Sequence, residues 1–305
     1  MKRKPFLPGL ATSAAVLIWS AGTLPVSAQE CGDDQPFGEC RVLVEINSTD
    51  GDIGFHWLTD GDDFNSTRID DPNGAKVFEN GGFGPLKEQK LTETFGESSE
   101  PPCWDDGDVD PDEIVTLRDF RETWESGTYE ISGKSDEGEK SFGEAELTYH
   151  LPAAPQNLDF DVDTGVISWE SGDDLGNCTP APPDSLAELV EDDVLEAFPE
   201  DVPVIAWEVV LEPDVDDTDP RAGLVFRTRV AGPLEAVEAG ETYSVTVPSD
   251  YLDTLGDDTP VKIEVGAIGG DFEIDEQDEV DGDDDNATFT EVEGFCVNFE
   301  EGCDD

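Results

Sequence analysis

The chain has 305 residues, with 76 Asp and Glu against 16 Lys and Arg, and a formal net charge of −60. That balance excludes nucleic acid as a partner, because phosphate contacts need Lys and Arg. It also disfavours anionic membrane surfaces.

Residues 1–28 carry Lys2, Arg3 and Lys4, an apolar run through Ala14-Ala15-Val16-Leu17-Ile18-Trp19, and a small-residue exit at Val26-Ser27-Ala28. This is the pattern of a cleaved export signal. The run is too short for a permanent span, and no later segment reaches the length a bilayer crossing needs. Ala28-Gln29-Glu30 before Cys31 does not look like a lipobox. Cleavage after Ala28 and an extracellular or periplasmic product are expected. The leader takes three basic residues and no acid from the total of −60, so the mature charge is −63. Such a surface suits salty water; calcium binding is the sharper reading of the same acids.

Six cysteines, Cys31, Cys40, Cys103, Cys178, Cys296 and Cys303, are an even number in an exported chain, which points to disulfides. Six cysteines allow fifteen pairings and the sequence does not choose among them; short loops favour Cys31 with Cys40 and Cys296 with Cys303, which would leave Cys103 with Cys178. No CxxC spacing supports zinc.

Short alternating apolar bursts punctuated by Gly and Pro read as all-β. After a Cys-containing segment at 29–40, a first β domain is expected over 41–152. Arg41 to Ile46 reads as a strand. Thr49-Asp50-Gly51 is a hairpin turn, and Ile53, Phe55 and Trp57 share one face of the returning strand. Asp71-Pro72-Asn73-Gly74 is a second turn, and extended segments follow from Leu86 to Phe95. Asp110-Pro111-Asp112-Glu113 carries helix-start signals; Ile114, Leu117, Phe120 and Trp124 follow at helical spacing. Tyr129–Gly133 and Ala145–His150 form a hairpin.

A second domain is expected over 153–293, followed by a Cys-containing acidic tail at 294–305. Its strands are Val166–Trp169, Val204–Leu211, Leu224–Val230, Thr242–Pro248, Val261–Ile268 and Ala287–Thr290. Trp169 fits a core Trp on the second strand, Trp207 a third-strand aromatic, and Val261 to Ile268 the penultimate strand. The segment resembles a fibronectin type III domain, with Val261 in place of the usual tyrosine, so the tyrosine-corner bond is missing. The resemblance implies a β-sandwich and says little about function. A helical insertion at 170–203 departs from the family. Ser185-Leu186-Ala187-Glu188 is a capping box, and Leu186, Val190, Val194 and Phe198 step by four. The insertion is expected to lid the sandwich core. With Thr49-Asp50-Gly51-Asp52-Ile53-Gly54-Phe55-His56 in the first domain, the whole layout also resembles uncharacterised secreted bacterial proteins that end in a fibronectin type III-like domain. The expected fold is thus two tandem β-sandwich-like domains with one short helix each.

Chemistry-bearing motifs are sparse. His56 and His150 lie opposite the apolar set of their strands and are expected to face solvent. They could form a metal site if their strands pair. No Gly-x-Ser-x-Gly turn, His-Glu-x-x-His motif or phosphate-binding glycine loop occurs. Among acidic loops, Asp281, Asp283 and Asp285 stand just before the last strand and are the calcium candidates. Asp108, Asp110 and Asp112 have alternating spacing, but helix capping accounts for them. The sequons at Asn47, Asn65, Asn177 and Asn286 read as chance. The expected function is a secreted, non-catalytic binding or structural module for a protein or polysaccharide. The alternatives are a calcium-dependent adhesion or matrix module and a hydrolase using a carboxylate pair.

Overall fold

The computed structural model describes residues 37–104, 110–134, 140–180, 185–216, 218–233, 236–270, 272–274, 280–282 and 286–297. The expected export signal, Cys31, Cys303, Asp283 and Asp285 lie outside the described residues.

The first part of the chain forms β1 (Glu39–Asn47), β2 (Asp52–Phe64), β3 (Ser66–Asp70), β4 (Lys76–Gly81), α1 (Pro85–Gln89), β5 (Leu91–Glu97), α2 (Leu117–Thr123), β6 (Gly127–Lys134) and β7 (Lys140–Leu147). The second forms β8 (Gln156–Asp161), β9 (Val166–Glu170), α3 (Leu186–Glu191), β10 (Val204–Pro213), β11 (Phe226–Ala231), β12 (Thr242–Thr246), α4 (Ser249–Leu255), β13 (Pro260–Gly269), β14 (Phe272–Ile274), β15 (Val280–Gly282) and β16 (Ala287–Cys296). The described chain is mostly strand, as the alternation and the turn residues imply. The β1–β2 turn shows why: the Asn47 side chain accepts from the amides of Thr49 and Asp50, and Gly51 takes a positive φ of 71°. Only glycine enters that region freely.

One long sheet organises the molecule. Its order is β11-β10-β13-β16-β1-β2-β5, so strands from both sides of residue 152 lie in it. The join is the parallel pairing of β1 with β16 over Glu45–Asn47 and Ala287–Phe289. A four-stranded sheet, β4-β3-β6-β7, covers one half of the long sheet. Val42, Val44, Ile46, Ile53 and Phe55 pack there against Ile69, Tyr129, Ile131 and Leu147. A three-stranded sheet, β12-β9-β8, covers the other half. There Phe160, Ile167 and Trp169 meet Trp207, Val209, Ile263 and Val265. Registered partners Ile46, Thr288, Ala267 and Trp207 run across the join. Paired residues share a face, so both cores lie on the same side of the long sheet. Each large side chain buried there contributes about 1.5–3 kcal/mol. The Trp169 and Trp207 rings meet edge-on, 5.9 Å between centroids.

The structure corrects several local expectations. Among the described residues two short α-helices, not one, fall in each part. Leu86–Gln89 is a helical turn started by Pro85, not extended chain. The helix read from Asp110 begins instead after Thr116, whose side chain accepts from the Asp119 amide. Asp110 closes a tight turn of its own, accepting from Asp112 and Glu113. The Val115 amide is drawn off to the Pro102 carbonyl, which keeps that stretch out of the helix. α4 has no side-chain cap at its N-terminus and ends at Gly256 with a φ of 82°; Leu252 and Leu255 anchor it by burial in the second core. Tyr251 on it reaches the carbonyls of Leu211 and Leu224.

The insertion also packs elsewhere than expected. The Ser185 capping box forms, but the helix ends at Glu191. Leu175, Cys178, Leu189, Val194 and Leu195 join the first core rather than the second. Arg118 pairs with Asp192 at 2.6 Å, the Arg121 guanidinium donates to the Asp193 carbonyl, and a disulfide joins Cys103 to Cys178. Cys40 and Cys296 are disulfide-bonded too; their expected partners, Cys31 and Cys303, lie outside the described residues.

Candidate metal centre

The hairpin β1–β2 sets Glu45 directly opposite Gly54, and His56 lies two residues further along β2. By strand alternation Glu45 and His56 occupy the face of the long sheet away from the two cores. A third group arrives from the strap after β5. Ser98 donates its amide to the Phe55 carbonyl, Ile53 donates to the Pro101 carbonyl, and Cys103 donates to the Gly51 carbonyl. Those bonds hold Glu100 against β2, with Oε1 3.4 Å from His56 Nε2. One ligand atom each from Glu45, His56 and Glu100 lie within 4.8 Å of one another.

Glu45 is 8 % exposed and His56 is 7 % exposed. Here the sequence expectation fails: His56 does lie opposite Phe55 and Trp57, but that face is itself covered. Leu43, Val210, Ile268 and Phe289 are buried on it as well. His56 Nε2 is buried without a hydrogen bond of good geometry, an arrangement that costs free energy when nothing compensates it. Gly54 leaves the space in front of it open. A Cβ at that position would lie 2.9 Å from His56 Nε2 and 3.1 Å from Glu100 Oε1.

Electrostatics follow from the burial. Desolvation pushes the Glu45 carboxyl up to about 7, assisted by the charge of Glu100 and opposed by His56. Burial pulls His56 down, but the Glu100 contact and the charges of Glu45 and Glu97 outweigh it, and the imidazole is held above its ordinary value. Asp52, two residues before Gly54, is pushed up to about 7 by burial and by Glu100 and Asp50. Further along the same face, burial and Glu45 push Glu264 up to about 8. Lys262 bridges Glu212 at 3.1 Å and Glu291 at 2.8 Å. A buried carboxyl, an imidazole and a half-exposed carboxylate can share a proton or hold a small cation. Glu45 and His56 are buried, whereas Glu100, with 29 % of its side chain exposed, offers an ion a way in.

His150 stands apart from this group. Its strand neighbour β7 pairs with β6, not with β2, and its ring lies 3.8 Å from Glu196. The pairing of their strands that a shared histidine site would need does not occur. Asp281 sits in β15 opposite Glu273; Asp283 and Asp285 lie outside the described residues. Glu45 carried a faint signal, an acid set between Val44 and Ile46 at the end of the apolar run from Val42. Glu100 carried none, because its placement depends on the strap's bonds to β2.

No family model matches the sequence, and no curated protein matches it. Among solved structures, a tetra-tandem repeat from the extending region of a large adhesion protein aligns at a TM-score of 0.24 with 13 % identity, over 85 % of this chain and 50 % of that one. The BSP domain of a biofilm-associated protein aligns at 0.21 and 10 % identity, over 83 % and 29 %. A 1.5-MDa bacterial ice-binding adhesin aligns at 0.19 and 12 % identity, over 82 % and 62 %. This chain therefore spans half of the first of these chains and less than two thirds of the others. Likenesses this loose carry no assignment of fold or function.

Proposed function

We propose that the chain is exported and serves as a non-catalytic structural or binding module, rigid across its long sheet, for a protein or polysaccharide partner. The observation that carries this reading is the parallel β1–β16 join. It makes one sheet of strands from both parts, and the Cys103–Cys178 disulfide fastens the insertion to the first part. A hinge or a cleft between moving halves has no place in such a build. The order β12-β9-β8 facing β11-β10-β13-β16, with Trp169 and Trp207 in its core, supports a fibronectin type III-like second part. The export-signal pattern read from residues 1–28 and the acidic, disulfide-bonded composition support work outside the cytoplasm.

The test is a binding screen of the purified chain against polysaccharides and matrix proteins at high salt, run beside a hydrolase panel on polysaccharides and esters. Saturable binding without turnover is expected. Turnover that disappears in Glu45→Gln or Glu100→Gln would replace this reading with a carboxylate-pair hydrolase.

A further inference from the structure

We propose that Glu45, His56 and Glu100 form a binding site for a first-row divalent cation of the Zn²⁺ type. The site ties the β1–β2 hairpin to the strap that follows β5, and it is separate from any calcium site at the acidic loops.

Three observations carry it. The first is spacing. Ligands about 2.0–2.1 Å from a tetrahedral zinc lie about 3.3–3.4 Å apart, and His56 Nε2 to Glu100 Oε1 is 3.4 Å. The Glu45 carboxylate lies within the 4.8 Å envelope of the group, so it closes by at most about 1.4 Å to take the third corner. The second is the orphaned imidazole nitrogen. His56 Nε2 is buried and points into the group without a well-formed hydrogen bond, and a metal bond would satisfy it. The third is room. Gly54 faces Glu45 across the ladder, and even a methyl group there would crowd both His56 and Glu100. A larger residue at 54 would fill the space the ion needs.

The donor set selects the ion. Calcium takes six to eight oxygens at 2.3–2.6 Å, and three protein ligands including an imidazole do not supply that shell. One nitrogen and two carboxylate oxygens suit zinc and its first-row neighbours. The fourth position is left to water, reached past Glu100. Metal binding would also relieve the electrostatic conflict of the site, since two acids so close together cannot both ionise cheaply without a cation.

The test uses the purified chain stripped with a chelator and titrated with Zn²⁺, then Ca²⁺, by calorimetry in high salt to suppress surface binding. Thermal unfolding is followed in parallel, and Co²⁺ substitution reports a four-coordinate geometry by its visible spectrum. A single tight Zn²⁺ per chain is expected, with a Tm several degrees higher when bound and no competition from Ca²⁺. Glu100→Gln and Gly54→Ala should weaken it by at least about tenfold. Glu45→Gln keeps the shape of the side chain, so it tests the third ligand without unfolding the hairpin. No stoichiometric Zn²⁺, equal competition by Ca²⁺, or Zn²⁺ affinity unchanged in Glu100→Gln and Gly54→Ala would each overturn the proposal.

Discussion

Asn286 Oδ1 accepts the backbone amide of Val44 at 2.7 Å, across 242 residues of sequence. The same side chain donates from Nδ2 to the carbonyl of Thr148 at 3.2 Å, the hydroxyl of Thr148 at 3.0 Å and the carbonyl of His150 at 3.0 Å. One fully buried amide thus clasps β1, the end of the first part and the start of β16. Asn286 belongs to a sequon, but at 0 % exposure it has a structural task and no access for a glycan.

Asn286→Ala is therefore expected to destabilise the chain by about 2–4 kcal/mol, because the Val44 amide and the 148–150 carbonyls lose their partner in a buried place. Denaturant unfolding measures it. A loss below about 0.5 kcal/mol, the range of an ordinary surface substitution, would show that the clasp contributes nothing.

The pH dependence should run opposite to that of a protein held by paired carboxylates. Burial raises Glu264 to about 8 and Glu45 to about 7, from the ordinary value of 4.5. Between those values the folded chain binds protons that the unfolded chain has lost. Stability is then fully present below about 4.5 and declines as pH rises through 7 to 8, by up to about 1.4 kcal/mol per pH unit for each proton. In chelator, Tm should be higher near pH 5.5 than near pH 8.5, and Glu264→Gln should flatten the slope. A Tm that climbs over this range would contradict the burial of these carboxyls in their neutral form.

Replacing Cys103 and Cys178 by serine opens a link between residues 75 apart in sequence. A loss of roughly 2–4 kcal/mol is expected, concentrated in α3 and the strap that carries Glu100. Proteolysis near Asp192 should accelerate in the variant. Unchanged protection there would mean that the Arg118 and Arg121 contacts to Asp192 and Asp193 hold the insertion unaided.

A chain of net charge −60 repels itself, and the Debye length shrinks from about 30 Å at 0.01 M salt to about 3 Å at 1 M. NaCl should raise Tm steadily over that range. A flat response would mean that the exposed acids are already far enough apart to ignore one another.

The strands of both parts were legible because alternation and turn residues act locally: Ile53, Phe55 and Trp57 declare one face, and Thr49-Asp50-Gly51 declares a reversal. The Ser185 cap was legible for the same reason. What stayed hidden depends on long-range pairing. Nothing in Glu45-Ile46-Asn47 or Ala287-Thr288-Phe289 announces a parallel ladder. Alternation placed His56 on the face away from the core, but it could not tell that Leu43, Val210 and Phe289 make that face buried as well. Glu100 joins the site only through backbone bonds from its strap to β2.

The shared sheet makes one unit of both parts, and hydrogen exchange in rising denaturant tests this most directly. Amides of β1 and β2 should lose protection at the same denaturant concentration as those of β10 and β13, as one cooperative unit. If β10 and β13 keep full protection after β1 and β2 have opened, the β1–β16 join is a contact between independent domains and the rigid module fails.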